Sequence, residues 1–229
     1  AATLALLVAL ATGCSSGATD TSGTGTTSGT TAVTAASFAA PADTHAQADD
    51  GDYSADGATT IALEDGATTV SGAGASADGD VVTISQAGTY IVSGTLTNGQ
   101  LVVASPGEGT VKVVLDGARI TSATTSPLVV SEADEAVVVL ADGTTSTLAD
   151  AAASGADDDE TDAPTATLFS MADLTIAGTG SLKVTGASND GIGSKDGLVV
   201  LSGTIDVDAK DDAVCGKDYL VVEGGTLNL

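Results

Sequence analysis

Residues 189–208 read "NDGIGSKDGLVVLSGTIDVD" and residues 211–229 read "DDAVCGKDYLVVEGGTLNL". Set 22 residues apart, the two stretches fall into register. Asn189 lies over Asp211, Asp190 over Asp212, Lys195-Asp196 over Lys217-Asp218 and Gly203-Thr204 over Gly225-Thr226. The apolar positions agree as well: Ile192 with Val214, Leu198 with Leu220, Val200 with Val222, Ile205 with Leu227 and Val207 with Leu229. The preceding unit, "ADLTIAGTGSLKV" from Ala172, matches the one after it at an offset of 24 that falls to 23. A period of 20–30 residues with several short strands per unit is the signature of a parallel β-helix. Equivalent positions of successive coils then stack about 4.8 Å apart, the hydrogen-bonding distance between strands. A column of aliphatics fills the narrow interior, which explains how a chain with 2% aromatic residues builds a core. Gly203 and Gly225 recur where strands turn and positive φ costs least.

Upstream, the same character continues in "VVTIS", "TYIVSGTL", "QLVVA", "VKVVLDGARI", "PLVVS" and "AVVVLADG". These are short alternating runs broken by Gly, Asp and Ser, with no helical segment between them. A sandwich is the alternative that the strand pattern alone leaves open. Residues 61–229 are therefore expected to form one all-β domain. The stretch 149–166, "ADAAASGADDDETDAPTA", carries six carboxylates between Asp150 and Asp162 and is expected to bulge as a loop from one coil. The repeat is still running at Leu229, so further coils or a cap are expected beyond it.

The first residues, "AATLALLVALATGCSSG", form a short apolar run ending in small residues before Cys14. That is the pattern of a secretory signal and is too short to span a bilayer. It looks like a bacterial lipoprotein signal over 1–14 with Cys14 as the lipidation site, which implies a cell-surface protein held to the membrane by lipid alone. Residues 15–60 are rich in Ser, Thr, Gly and Ala without apolar period and read as a solvated linker. His45, the only histidine, falls there and is expected to be incidental.

The formal charge of −25, with six Lys and Arg in 229 residues, excludes a nucleic-acid partner, because no basic patch exists to displace phosphate counterions. It suits an extracellular monomer that gathers cations. If Asp190 and Asp212 lie one coil apart, their carboxylates sit about 5 Å from each other. Two like charges at that distance repel by roughly 1 kcal/mol in water and about 3–4 kcal/mol at an effective dielectric of 20. The groups must face open water or hold a cation, and an ion with Ca–O distances of about 2.3–2.6 Å spans the gap. Asn189 and Asp211 add oxygens beside that pair, and Asp196 over Asp218 makes a second ladder. Aspartates at strand ends also cap turns through their own backbone, and this alternative stands for each of them singly. Zinc is excluded by the lack of any His–Cys cluster. Lys195 and Lys217 are candidate contacts for sugar carboxylates, and Tyr219, out of phase with Leu220, is a candidate stacking platform for a sugar ring. Cys215 replaces Gly193 one coil on and is expected to be a small buried thiol.

The segments "GTYIVSGTLTNGQLVV", "VKVVLDGARITS", "LADGTTSTLAD", "FSMADLTIAGTGSLKVTG", "NDGIGSKDGLVV" and "KDDAVCGKDYLVVEGGTLNL" resemble a bacterial family of carbohydrate-binding proteins. The resemblance implies a right-handed parallel β-helix, similar in fold to pectate lyases. It also implies a secreted or surface-anchored protein that binds calcium and acidic, pectin-like polysaccharide. The chain departs from the family at Gly191-Ile192-Gly193 and Ala213-Val214-Cys215, where a basic residue is usual. The function expected is calcium-dependent, non-catalytic binding of polygalacturonate-like polymer, with a calcium-dependent lyase and a structural surface spacer or adhesin as alternatives. A lyase needs a base to take the proton alpha to a uronate carboxylate. Lysines flanked by aspartates are poor candidates, because the carboxylates favour their charged form.

Overall fold

The computed structural model describes residues 44–150 and 164–229, together with the backbone of Val8–Ala9. Among these residues every regular element is a β-strand, arranged in a curled 14-stranded sheet and a 7-stranded sheet. The larger sheet has two arms joined by the nine-residue strand Gly88–Leu96, so the molecule has three faces. From Thr110 onward the chain visits them in fixed order. Thr110–Leu115 lies on the first face, Arg119–Ser122 on the second and Leu128–Glu132 on the third. Glu135–Leu140 returns to the first face and pairs in parallel with Thr110–Leu115. Thr145–Asp150 pairs in parallel with Arg119–Ser122, and Ala166–Ser170 with Leu128–Glu132. Three further circuits follow the same order, the last lacking a third-face strand, and each lies on the one before.

The register is the one the repeat predicts. Leu198 pairs with Leu174 and Leu220, Ile192 with Val214, Val200 with Val222 and Ile205 with Leu182 and Leu227. Each unbroken column fills the interior with shapes that repeat, as in Leu101, Leu128, Leu168 and Ile192, all fully buried. Truncating such a side chain, as in Leu168→Ala, costs about 2–5 kcal/mol because the neighbours above and below cannot close the gap. Gly203 and Gly225 take φ of +102° and +88° at the same turn, one circuit apart.

The start of the stack has an edge that would otherwise offer unpaired backbone groups. Two antiparallel hairpins close the start, Thr59–Leu63 with Thr69–Ser71 and Ala75–Asp78 with Val81–Ile84. At the other end Val8–Ala9 pairs antiparallel with Val221 and Val222. The acidic loop expected at 149–166 lies mostly outside the described residues. Asp150 does not belong to it, being the last residue of a second-face strand.

Most of the expected linker lies outside the described residues, and its last part, from residue 44, packs on the domain. Residues 44–52 lie across the outside of the first face, with Gly51 against Ala177 and Gly178 and the Lys112 ammonium on the carbonyls of Asp49 and Asp52. Outward positions of that face are therefore buried where alternation alone predicts exposure, among them Val114, Val137, Thr175, Val199 and Val221. The polar composition of the segment hid this, because its backbone, glycine and one histidine make most of the contacts.

Candidate functional site

Turns carry the carboxylates, and two turn regions gather them. The first lies between the second and third faces. Asn189-Asp190 sits there directly beneath Asp211-Asp212, as the register requires, with the Asp211 N–H bonded to the Asn189 carbonyl at 3.4 Å and the Gly191 N–H to the Asp212 carbonyl at 2.9 Å. The Asp212 N–H donates to Asp190 Oδ1 at 3.2 Å. Asp190 thus does part of the turn-capping work, while its second oxygen has no such partner among the described residues. Burial, followed by the charges of Asp212 and Asp211, pushes its carboxyl up to about 6, against the pull of the Asp212 N–H and Lys195. Asp211 and Asp212 themselves are exposed. One circuit earlier Asp150, 5% exposed, accepts from the Ala187 N–H at 2.6 Å and the Thr167 hydroxyl at 2.9 Å. Its role is to tie the turn together, and nothing in the sequence pattern separated it from the acidic run that follows.

The second region lies between the third and first faces. Asp196 and Asp218 are one circuit apart as expected, but the structure adds Asp173, whose Oδ1 accepts from the Gly197 N–H at 3.1 Å. Burial, then Asp173 and Asp218, raises the Asp196 carboxyl above the usual range. Glu135, the partner of Thr110 in register, is raised by burial as well, and its Oε1 is enclosed with no hydrogen-bond partner among the described residues.

His45 belongs to this second region and is not incidental. Its side chain is 10% exposed, with Nδ1 at 3.1 Å from Asp173 Oδ1 and 2.7 Å from the Tyr219 hydroxyl, and Nε2 at 3.0 Å from the Thr175 hydroxyl. Tyr219 points outward as its phase predicts. Its ring, however, lies over Gly197, where any Cβ would clash with it, and its hydroxyl is taken by His45. The ring is a clasp for the crossing segment in this structure, which leaves only part of it open to a sugar.

Lys195 and Lys217 diverge. The Lys195 ammonium is drawn to the Phe169 ring, 5.9 Å from its centroid on the third face, and Lys217 is exposed. Cys215 is 4% exposed and disulfide-bonded, which corrects the expected thiol; burial was right, the redox state was not. Cys14, the expected lipid site, lies outside the described residues.

Chemically, the described residues offer mainly oxygen ligands; the one hydroxyl–imidazole–carboxylate set, Thr175–His45–Asp173, has its hydroxyl fully buried beneath the crossing segment. Among them no three His, Cys, Asp or Glu side chains already converge as a metal cage. The set at Asn189, Asp190, Asp211 and Asp212 fits a hard cation in a different way. One carboxylate is held and electrostatically frustrated, and two exposed ones are free to swing onto an ion that accepts six to eight oxygens in flexible geometry.

The described residues thus form a winding of parallel strands around three faces, with acidic turns between them. The chain belongs to the carbohydrate-binding domain-containing protein family, which matches residues 78–229. A carbohydrate-binding domain-containing protein of Acetivibrio thermocellus is 36% identical over 128 residues, covering 56% of this chain and 45% of that protein. The chain thus spans less than half the length of that relative. Among solved structures, the polysaccharide lyase-like protein from C. thermocellum, a gadolinium derivative, superposes with a TM-score of 0.59 at 23% identity, covering 74% of this chain and 93% of that one. At that identity the likeness is one of fold.

Proposed function

We propose that this protein is a right-handed parallel β-helix that binds acidic, polygalacturonate-like polysaccharide in the presence of calcium, at a bacterial cell surface, without cleaving it. The observation that carries the reading is the carboxyl of Asp190, pushed up to about 6 by burial and by Asp212 and Asp211. A divalent cation relieves that repulsion and, taking six to eight oxygens, keeps coordination positions open for a uronate carboxylate, which a protein at −25 otherwise repels. Asn189, Asp190, Asp211 and Asp212 would hold the ion. Asp196 and Asp218 would hold a second where the crossing segment leaves room.

The name of the solved neighbour raises the lyase alternative, and geometry weighs against it here. Lys195, the lysine nearest Asp190 in sequence, rests on Phe169. A lipid thioether on Cys14 would provide the surface attachment. Cys14 and Cys215 are the chain's two cysteines, so with a lipid on Cys14 the Cys215 disulfide is one between chains.

The test is a pull-down of the full chain on pectic gel with calcium and with chelator, following ultraviolet absorbance of the supernatant for hours. Retention in calcium, release in chelator and flat absorbance are expected. Rising absorbance from unsaturated product makes the protein a lyase, and binding that ignores the chelator leaves calcium out of the ligand contact.

A further inference from the structure

The three faces are not equally available. The outside of the first is covered by residues 44–52. The outside of the third is closed at its middle circuits, with Val129, Phe169 and Ala166 at 6%, 1% and 3% exposure. On the second face Thr95, Arg119, Lys183, Thr185 and Asp208 are open to water. Two of its three outward columns, in strict register, carry all of its charges. One reads Thr95, Arg119, Thr147, Lys183, Asp206, Asn228. The other reads Thr121, Ala149, Thr185, Asp208.

The chemistry along this face is uneven. Arg119 and Lys183 occupy one column two circuits apart, about 9.6 Å at 4.8 Å per circuit. Both are exposed, and neither makes a hydrogen bond or ion pair among the described residues. The outward positions of their circuits, including Thr147 between them, carry no carboxylate. The next two circuits are different: Asp206 takes the Asn228 amide and Asp208 lies beside it. Arg119 therefore has only threonines beside it in its column, Lys183 has Thr147 on one side and Asp206 on the other, and neither cation closes an ion pair among the described residues. At physiological salt the Debye length is about 8 Å, so an approaching anion responds to the charges within a few ångströms and little to the net −25.

We infer that the second face, through Arg119 and Lys183 with the threonines between and beside them, is the surface along which an anionic polysaccharide lies. The polymer runs across the circuits, its carboxylates pairing with the guanidinium and the ammonium and its hydroxyls meeting Thr95, Thr121, Thr147 and Thr185. The inference rests on the acidic-polysaccharide reading above and relocates the basic contacts from Lys195 and Lys217, which lie in the turn before the first face. Spacing of the cations at alternate circuits suits a polymer rather than a single sugar, because one chain engages both and the second contact forms at high effective concentration.

The experiment is isothermal titration of polygalacturonate oligomers into the full chain in calcium, comparing wild type with Arg119→Gln, Lys183→Gln, the double variant and Lys217→Gln. Circular dichroism verifies that each remains folded, as expected for exposed positions. Each exposed pair is worth up to about 1 kcal/mol, so single variants should weaken binding about three- to five-fold and the double variant about tenfold or more. The double variant should also lose most of the salt dependence, and Lys217→Gln should bind as wild type. A double variant that binds like wild type, or a loss confined to Lys217→Gln, overturns the second-face assignment while leaving acidic polysaccharide as the ligand. Wild type that binds no polygalacturonate at all overturns the ligand reading and this inference with it.

Discussion

Replacing Asp190 by Asn should stabilise the calcium-free protein at neutral pH, against the usual sign for a polar residue in a hydrogen-bonded turn. The amide oxygen of Asn can still accept the Asp212 N–H that now donates to Oδ1 at 3.2 Å. What the substitution removes is a charge that burial and the neighbouring carboxylates oppose. Raising a carboxyl from 3.8 to about 6 corresponds to about 3 kcal/mol at 1.36 kcal/mol per tenfold in proton affinity. Water reaches this half-buried group, and screening lowers the figure to about 1–2 kcal/mol. The sign follows from proton counting. Between the ordinary carboxylate value and about 6 the folded chain binds the extra proton, so stability falls as pH rises through that window, and the penalty is fully present above it. Thermal melts by circular dichroism in chelator should show wild type and Asp190→Asn alike near pH 4, since both side chains are then neutral. Near pH 8 the variant should melt higher by about 3–6 °C, taking about 2–4 °C per kcal/mol for a domain of this size. Calcium should reverse the order by stabilising wild type alone. A variant less stable than wild type near pH 8 in chelator, with no convergence on acidification, would refute the frustrated-carboxylate argument and leave Asp190 a plain turn cap.

Calcium affinity should drop at least tenfold in Asp212→Ala and stay unchanged in Asp142→Ala, whose carboxylate accepts the Thr179 hydroxyl in a turn of its own; isothermal titration compares them, and equal losses would put the ion elsewhere. His45→Ala should speed amide exchange over residues 44–52 about tenfold or more, because it removes contacts to Asp173, Tyr219 and Thr175 at once. Hydrogen-exchange mass spectrometry reads this directly, and unchanged protection would mean that Gly51 and Lys112 suffice to hold the segment. Intact mass with and without reductant, on protein from a lipoprotein-processing bacterium, decides the state of Cys215. A gain of about two hydrogens per disulfide on reduction is expected if Cys14 is unlipidated, and an acylated Cys14 would require the Cys215 bond to be between chains.

The sequence by itself determined the columns. A 22-residue period with Ile192 over Val214 and Leu198 over Leu220 leaves one register that keeps these aliphatic columns inside, since a shift of a single residue would turn them outward. Both carboxylate ladders follow from it, because stacking is a one-dimensional consequence of the repeat. What the repeat could not decide is which outward surfaces remain open. That depends on contacts between residues far apart in the chain and outside the period: His45 with Tyr219, Gly51 with Gly178, Lys112 with Asp52. Asp173 and Glu135 escaped notice because they share the turn of Asp196 and Asp218 only after the register is known. Arg119 and Lys183 are 64 residues apart and unremarkable in sequence, and they come to lie in one column of one face because two circuits of chain close between them. Periodicity dictates what lies above what, and only the packing of the aperiodic segments decides what a ligand can touch.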